Sequence, residues 1–133
     1  MRSNEFLLES NSRGLAQEIS QVLTDRFLPV GYQVKVTEHF VDQMYSTRNQ
    51  DPIIMKEVAY VFARLLKFQI DNLNEIPDQS AFSVQDRMTG IGMAFIKHTG
   101  EPNRIIATTI IRDVLKARGQ PVITTWPKRL ILL

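Results

Sequence analysis

The side chains in this sequence that can act on a charged substrate are two histidines and a group of basic residues. An imidazole titrates near neutral pH, so a histidine can transfer a proton, bind a phosphate or simply fill a polar corner of the fold. His39 follows Thr37, whose side-chain oxygen can accept a backbone N–H of a helix's first turn, and Glu38 suits the positive end of that helix. We therefore place His39 in the first turn of a helix, at the edge of a sheet. His98 stands at the end of a predicted strand, as an acid or base or as a turn residue.

Basic residues are concentrated in the last part of the chain. The formal net charge is only +2, but from residue 104 onward six basic residues stand against one acidic residue, Asp113. The six are Arg104, Arg112, Lys116, Arg118, Lys128 and Arg129. Clustered positive charge attracts anions. This part of the chain is therefore either a binding surface for an anion or an ordinary solvated surface.

Several other kinds of site are excluded by the residue types present. The sequence has no cysteine, so it forms no disulfide and holds no metal through thiolates. The two histidines lie far apart, with no tight carboxylate cluster and no His-x-x-Glu-His spacing, and we predict no metal site and no cofactor. No glycine-rich phosphate loop or nucleophile elbow occurs, which argues against a Rossmann or P-loop nucleotide site and against serine-hydrolase chemistry.

The spacing of apolar residues predicts that the first half of the chain is helical apart from one strand. The predicted elements are a helix from about Ser12 to Leu28, a strand from Tyr32 to Val36, the helix of His39 ending near Arg48, and a helix opened by Asp51-Pro52 that runs to about Asn72. The side of the His39 helix predicted to be buried consists of Phe40, Val41 and Met44. The stripe of the long helix predicted to pack on a sheet consists of Ile54, Val58, Val61, Leu65 and Phe68.

The second half of the chain changes to strand-like periods. Runs rich in β-branched residues, separated by turn residues, predict strands at Ala81–Val84, Gly92–Lys97, Arg104–Arg112 and Val122–Trp126. The segment Asp113–Ala117 fits either an extension of the third of these strands or a helical turn. Alternation along that third strand places Thr108 and Arg112 on one face with Ile106 and Ile110, and Thr109 on the other.

This order of elements predicts one α+β domain over residues 1–133, with the N-terminal helices packed on one face of a mostly antiparallel sheet of four or five strands. A short arm, residues 1–11, precedes the first helix. The tail, residues 130–133, is too apolar to extend into water, and we expect it to pack as an edge strand or against a second copy or another protein. The sequence shows no signal-peptide core and no apolar run of membrane-spanning length, so we expect an intracellular protein without membrane association.

The order of these features resembles a known group of proteins. The segment Val34-Lys-Val-Thr-Glu-His-Phe-Val-Asp42 is followed by Arg48, by the helix that Asp51-Pro52 opens, and by the strand pair 91–98 and 104–112. This arrangement is similar to that of small phage-encoded members of the barnase, EndoU, colicin and RelE superfamily, and in particular to RegB-type phage endoribonucleases. The resemblance implies a RelE-like fold and metal-independent RNA cleavage, in which the 2′-hydroxyl attacks the neighbouring phosphate.

Such cleavage needs a proton acceptor, a proton donor and positive charge near the phosphorane. The resemblance, which covers residues 32–125, implies catalytic roles for His39 and Arg48, and His98 is the candidate for the second acid or base. RNA would bind to Gln43, Arg112, Lys116, Arg118, Lys128 and Arg129. Gln43 departs from the family, which usually has arginine four residues after the histidine. Glutamine can donate a hydrogen bond to a phosphate but cannot neutralise its charge.

Two functions remain open. In the first, the chain is a phage ribonuclease-like hydrolase or RNA-binding protein in the cytoplasm of the infected host cell. In the second, the same fold has lost catalysis and serves as a virion-associated or accessory protein that binds other phage proteins or a second copy through its apolar tail. His39 in its motif and the basic C-terminal part favour the first function. Gln43, the modest net charge and the tail favour the second.

Overall fold

The computed structural model describes residues 2–46, 51–115 and 119–125, with side chains from residue 12 onward. The helices in these ranges are α1 (Arg2–Phe27), α2 (Glu38–Met44), α3 (Met55–Phe68) and α4 (Ile70–Glu75). The strands are β1 (Tyr32–Val36), β2 (Ser80–Gln85), β3 (Gly92–His98), β4 (Asn103–Ile111) and β5 (Val122–Thr124). A 3-10 turn, Leu28–Val30, links α1 to β1.

The five strands form one mixed sheet in the order β1-β4-β3-β2-β5. The central pairs, β2 with β3 and β3 with β4, are antiparallel, whereas the outer strands β1 and β5 each run parallel to their neighbours. The helices contribute their apolar residues to a core on one side of this sheet. The predicted α+β fold with helices on one face of the sheet is confirmed.

The inner face of the sheet, which faces the helices, is held by a line of aromatic contacts. Phe27 of α1 meets Phe62 of α3 edge to face, with ring centroids 6.2 Å apart. Phe62 in turn meets Phe95 of β3 at 5.8 Å, and Phe95 stacks on Phe82 of β2 at 5.1 Å. Because aromatic side chains bury large areas and favour such geometries, this line ties two helices to the middle of the sheet.

α1 lies along the free edge of the sheet. The Ser20 hydroxyl accepts a hydrogen bond from the N–H of Val36 at 2.8 Å, and the Thr24 hydroxyl accepts from the N–H of Val34 at 3.0 Å. Thr24 also donates to the carbonyl of Val34 at 2.9 Å. Two hydroxyls one helical turn apart therefore bind the backbone groups that a further strand would have bound.

The first two helices differ in length from their predictions. α1 begins at Arg2 rather than near Ser12, so the predicted arm is mostly helical. No glycine or proline occurs between residues 2 and 13, and nothing there stops the helix. α2 ends at Met44 rather than near Arg48, because the Met44 carbonyl accepts the N–H of Ile53 at 2.9 Å instead of continuing the helix.

The predicted helix start at Asp51-Pro52 is wrong, since α3 begins at Met55. Ile53 is fully buried in extended chain before the helix, and the carbonyl of Pro52 accepts a hydrogen bond from Arg112. The side chain of Glu57 caps the real start by accepting the N–H of Ile54 at 3.3 Å.

The far end of α3 also differs from the prediction. The helix ends at Phe68, and α4 follows as a separate helix after a break at Gln69, whose φ of −127° and ψ of 13° are not helical. The outer members of the predicted apolar stripe, Ile54 and Phe68, are 54% and 37% exposed, so only the middle of the stripe packs in the core.

A β-bulge in β4 overturns the predicted alternation of faces. Ala94 pairs with Thr109 and Phe95 with Ala107, which leaves Thr108 as the extra residue. The bulge shifts the alternation by one residue. Ile110 is therefore buried on the inner face, whereas Ile106, predicted to share its face, lies on the outer face, the side of the sheet away from the helices. Thr109 lies opposite Ile110, as predicted.

After β4 the described residues 113–115 start across the outer face of the sheet in irregular structure. Residues 113–115 form neither the strand extension nor the helical turn that the sequence left open, and residues 116 and 117 lie outside the described ranges. A Cβ on Gly92 would lie 2.7 Å from the carbonyl oxygen of Asp113, so the crossing requires glycine in β3. The predicted packing of the tail 130–133 also falls outside the described residues.

Candidate functional site

A groove on the outer side of the sheet, between α1 and β1, is the candidate functional site. Its volume is about 660 Å³. Its polar lining includes Arg13, Gln17, Gln21, Gln33, Lys35 and Arg104, and we call these six residues the basic groove.

The way in which α1 meets the sheet edge creates the groove. Ser20 and Thr24 hold the helix level with β1, so Gln17 and Gln21, the next residues around the helix, stand on the outer side of the edge. Along β1 the even-numbered residues are buried, whereas Gln33 and Lys35 are exposed. Alternation thus directs the side chains of Gln33 and Lys35 to the same side as those of α1.

Positive charge dominates the basic groove. Arg13 forms an ion pair with Glu38, another lining residue, at 2.7 Å, with both side chains well exposed. Lys35 and Arg104 are exposed and form no ion pair with any residue in the described ranges. Three cations against one carboxylate leave the groove able to bind an anionic group from solution.

His98 adjoins the basic groove through the strand register. Gln33 pairs with Arg104, and Arg104 pairs with His98, so the three residues form one row across β1, β4 and β3. Side chains that are directly opposite on neighbouring antiparallel strands lie about 5 Å apart at Cβ. An imidazole and a guanidinium, both partly or fully open to solvent, are therefore neighbours on the outer face.

Asp78 lies on the other side of His98. Its carboxylate accepts the N–H of Thr99 at 2.7 Å. This hydrogen bond is the main cause that lowers the pKa of Asp78, and the nearby His98 lowers it further. His98 thus has the guanidinium-bearing Arg104 as its strand neighbour and the carboxylate of Asp78 nearby.

His39 lies where the sequence predicted it, in the first turn of α2, and Thr37 caps that turn by accepting the N–H of Phe40 at 3.1 Å. The side chain of His39 is exposed, and no hydrogen bond or ion pair connects it to another described residue. His98 is level with Gln33, whereas α2 begins beyond Val36, which is about 10 Å further along the strand. The two histidines are therefore not placed to act on the same phosphate.

Gln43 is bound to the sheet. Its Oε1 accepts the N–H of Ile110 at 3.1 Å, just beyond the bulge of β4. β1 has ended at this level, so the glutamine side chain takes the place of a strand neighbour for β4. An arginine has no acceptor and could not make this contact.

Arg112 is bound in a bidentate ion pair with Glu57 at the start of α3. Its two terminal nitrogens lie 2.7 and 2.8 Å from the carboxylate oxygens, and it also donates to the carbonyl of Pro52 at 3.2 Å. The Arg112 hydrogen bonds hold the pKa of Glu57 below its ordinary value, and the same pairing raises the pKa of Arg112. The structure thus uses this guanidinium to join β4 to α3. The other predicted site residues, Arg48, Lys116, Arg118, Lys128 and Arg129, lie outside the described residues.

Two buried charges that the sequence analysis did not single out serve the fold. Asp86 is fully buried and is bound by Arg64, Thr89 and Thr125. Lys97 is 2% exposed, and its ammonium donates to three carbonyls at the end of α4. The alternation Met93-Ala-Phe-Ile-Lys97 places this lysine on the inner face, so the sequence did carry a signal for its burial.

Most of the basic groove was not predicted from the sequence either. Arg104 was counted among the basic residues of the last part of the chain, but Arg13, Gln17 and Gln21 belong to a distant helix. The alternation in β1 indicates that Gln33 and Lys35 share a face. No local pattern indicates that α1 lies beside that face, because this depends on tertiary packing.

The described residues contain no group of three or more histidine, aspartate or glutamate side chains that could hold a metal ion. None of the described helices is long and apolar enough to cross a membrane. The groove offers binding through cations and amides, and next to it one imidazole stands beside one guanidinium.

Comparisons with known proteins found no match to this chain, whether with family models, with curated proteins or with solved structures. The resemblance to RegB-type endoribonucleases accordingly stays a prediction from the sequence motif and the order of the elements.

Proposed function

We propose that this chain is an RNA-binding protein whose basic groove holds the phosphate backbone of an RNA strand. The groove carries the proposal, because it is concave and exposes Lys35 and Arg104, which pair with no carboxylate in the described part of the chain. Phosphate contacts supply most of the affinity of nucleic-acid-binding proteins, and lysine, arginine and amide side chains make these contacts. The resemblance to RegB-type proteins favours RNA over other polyanions. A phage origin, in the infected cell or the virion, belongs to the proposal through that resemblance alone.

RNA binding is tested with a fluorescently labelled single-stranded RNA, whose anisotropy is measured over a series of salt concentrations. We expect Lys35→Gln and Arg104→Gln each to weaken binding and to reduce the slope of log affinity against log salt by about 0.7, because each removes about one phosphate contact. Lys56→Gln serves as the matched control, since Lys56 is an exposed lysine on α3, outside the groove. Equal affinity and slope in all four proteins would exclude the groove as the RNA site.

A second candidate function is metal-independent cleavage of the bound RNA, and the pairing of His98 with Arg104 favours it. In this reaction His98 accepts the proton of a 2′-hydroxyl, the 2′-oxygen bonds to phosphorus, and the bond from phosphorus to the 5′-oxygen breaks. Arg104 stabilises the charge of the phosphorane, and water protonates the leaving 5′-oxygen. The products are a 2′,3′-cyclic phosphate and a 5′-hydroxyl.

The two histidines are matched controls for each other, because each has a solvent-accessible side chain far from the other. We expect wild-type protein to cleave RNA with EDTA present, and His98→Ala to lower the rate on the order of 100-fold, which is typical for loss of a general base. His39→Ala should retain the activity. The opposite pattern would assign the reaction to His39, as the family resemblance implies. RNA that is bound but cut by none of these proteins would support the catalytically inactive alternative.

A further inference from the structure

The solvent side of α3 carries a regular row of side chains that the proposed RNA site does not use. The opposite side of the helix is buried through Val58, Val61, Phe62 and Leu65. Lys56, Tyr60, Ala63 and Lys67, spaced by four, three and four residues, are all exposed and line one stripe. We call these four residues the α3 stripe. It spans about 16 Å from Lys56 to Lys67.

The positive charge of the α3 stripe is not compensated within the described residues. Two acidic residues near it are already paired: Glu57 is held in a bidentate ion pair by Arg112, and Asp86 by Arg64. Lys56 and Lys67 form no ion pair with a described carboxylate. Both ammonium groups are therefore accessible to a carboxylate of another molecule.

A turn adds to the same surface. Asp86 binds Arg64 of α3, so the turn that begins at Asp86 lies beside the helix. Its next two residues, Arg87 and Met88, are exposed, and Met88 is 63% exposed. The surface thus combines cations that pair with no described carboxylate, exposed apolar side chains and the small residue Ala63, which lets a partner approach the helix closely. Tyrosine, methionine and arginine are enriched in protein interfaces, and charged residues such as the two lysines belong to the polar rim of such a contact.

The exposed Met88 and the surroundings of Tyr60 favour a protein over a nucleic acid as the anionic partner. The ammonium of Lys56 and the guanidinium carbon of Arg64 each lie 5.9 Å from the centroid of its ring. Cations over the ring compete with a nucleobase for stacking, which is the contact that single-stranded nucleic acids use on aromatic residues. The phenol hydroxyl makes no hydrogen bond to a described residue and can donate one to a carboxylate.

We propose that the α3 stripe is a docking surface for an acidic segment of another protein. Carboxylates about 16 Å apart bind Lys56 and Lys67. An apolar side chain between them packs over Ala63 and against Tyr60. The surface is separate from the basic groove, which lies on the other side of the sheet. The proposal is therefore independent of RNA binding.

The probe for this test is a short labelled helical peptide with glutamates on one face and leucines between them. We expect it to bind the wild-type protein and to bind Lys56→Gln/Lys67→Gln about fivefold more weakly, which corresponds to the loss of two exposed ion pairs. The matched control is Lys35→Gln/Arg104→Gln, which removes the same amount of charge from the basic groove and should bind the peptide like the wild type. Amide chemical shifts should change in residues 55–68 and not in residues 32–37.

Three results would overturn the proposal. The first is a peptide that does not bind, or that loses affinity only in the groove variant. The second is a single-stranded RNA that shifts the α3 amides more than the peptide does, which would make the stripe a nucleic-acid contact. The third is a dimer of the wild-type protein that Lys56→Gln/Lys67→Gln dissociates, which would assign the stripe to a second copy of the chain.

Discussion

At Gln43 the sequence departs from the family that it resembles, and the structure gives a local reason for this departure. The resemblance leads us to expect a cation at this position, and its absence argues against catalysis. In the structure the side chain accepts the N–H of Ile110, a contact that arginine cannot make. Glutamine at position 43 is therefore explained by its hydrogen bond to β4. This residue alone does not decide whether RNA is cleaved.

Asp86 illustrates a charge that is fully committed to the fold. Its two oxygens accept five hydrogen bonds, from the guanidinium of Arg64, the hydroxyls of Thr89 and Thr125, and the N–H of Thr89. Burial acts to raise the pKa of Asp86, but these hydrogen bonds outweigh it and lower the pKa to about 2. A carboxylate so completely bound has no acceptor left for a substrate.

The lowered pKa of Asp86 predicts a loss of stability in acid. Between its ordinary pKa of 3.8 and about 2, the unfolded chain binds a proton that the folded chain does not. The stabilisation is therefore fully present above about pH 4 and is lost as the pH falls toward 2, by about 2 kcal/mol. Urea unfolding measured at a series of pH values between 6 and about 2 checks this.

The control for this prediction is Asp86→Asn, which removes the titrating group and leaves Arg64 without its carboxylate. It should be less stable at neutral pH, by about 3 kcal/mol. Its acid loss should be smaller than that of the wild type, with a remainder from Glu57 and Asp78, whose pKa values are also lowered. Equal acid losses in the two proteins would contradict a role for Asp86.

At the scale of elements, α1 covers the edge of the sheet at which a sixth strand could otherwise pair with β1. A sheet edge exposes unpaired N–H and C=O groups, which invite pairing with other chains. Ser20 and Thr24 bind those of Val34 and Val36, while the apolar side of α1 joins the core through Ile19, Leu23 and Phe27. The same position of α1 places Gln17 and Gln21 beside β1. The packing of α1 against β1 therefore both covers the sheet edge and forms one wall of the basic groove.

Removing both hydroxyls should destabilise the protein. The double variant Ser20→Ala/Thr24→Val keeps the size and helix preference of the side chains roughly constant, but leaves two N–H groups and one carbonyl of β1 without protein partners. We expect a loss of about 2 kcal/mol in the free energy of unfolding, since part of this edge can be rehydrated from the groove. Amide hydrogens of Val34 and Val36 should also exchange faster.

Gln17→Ala/Gln21→Ala is the comparison for this measurement, because both side chains are exposed on the same helix. Surface changes of this kind usually alter stability by less than about 0.5 kcal/mol. If the hydroxyl variant were as stable as the glutamine variant, with unchanged exchange at Val34 and Val36, α1 would not be held at the edge by these bonds.

At the scale of the whole molecule, periodic apolar patterns predicted the class of fold but not its details. The capping role of Thr37 and the positions of all five strands followed from local signals. The strong start signal of Asp51-Pro52 failed because Ile53 is drawn into the core and Arg112 binds the Pro52 carbonyl. The faces of β4 were mispredicted because a bulge at Thr108 is set by its partner strand and leaves no mark in the sequence.

The candidate site was less predictable than the fold. His98 was identified from its residue type, and Arg104 from its charge. Their alignment with Gln33 depends on the pairing of three strands. Arg112 and Gln43 were predicted to bind RNA. Arg112 instead binds the carboxylate of Glu57, and Gln43 binds the N–H of Ile110. Both partners are distant in sequence, so no local pattern indicated these contacts. The type of a residue indicates what chemistry its side chain can perform. The groups that the side chain contacts are determined by the tertiary structure.

The mixed order of the strands also determines where folding is costly in chain entropy. The meander of β2, β3 and β4 is continuous in sequence, and its turns close short loops. β1 reaches its place only when Tyr32 meets Asn103, and β5 only when Val122 returns to Ser83. Because closing longer loops restricts the chain more, the entropy cost falls on the two edges, one of which forms the floor of the basic groove.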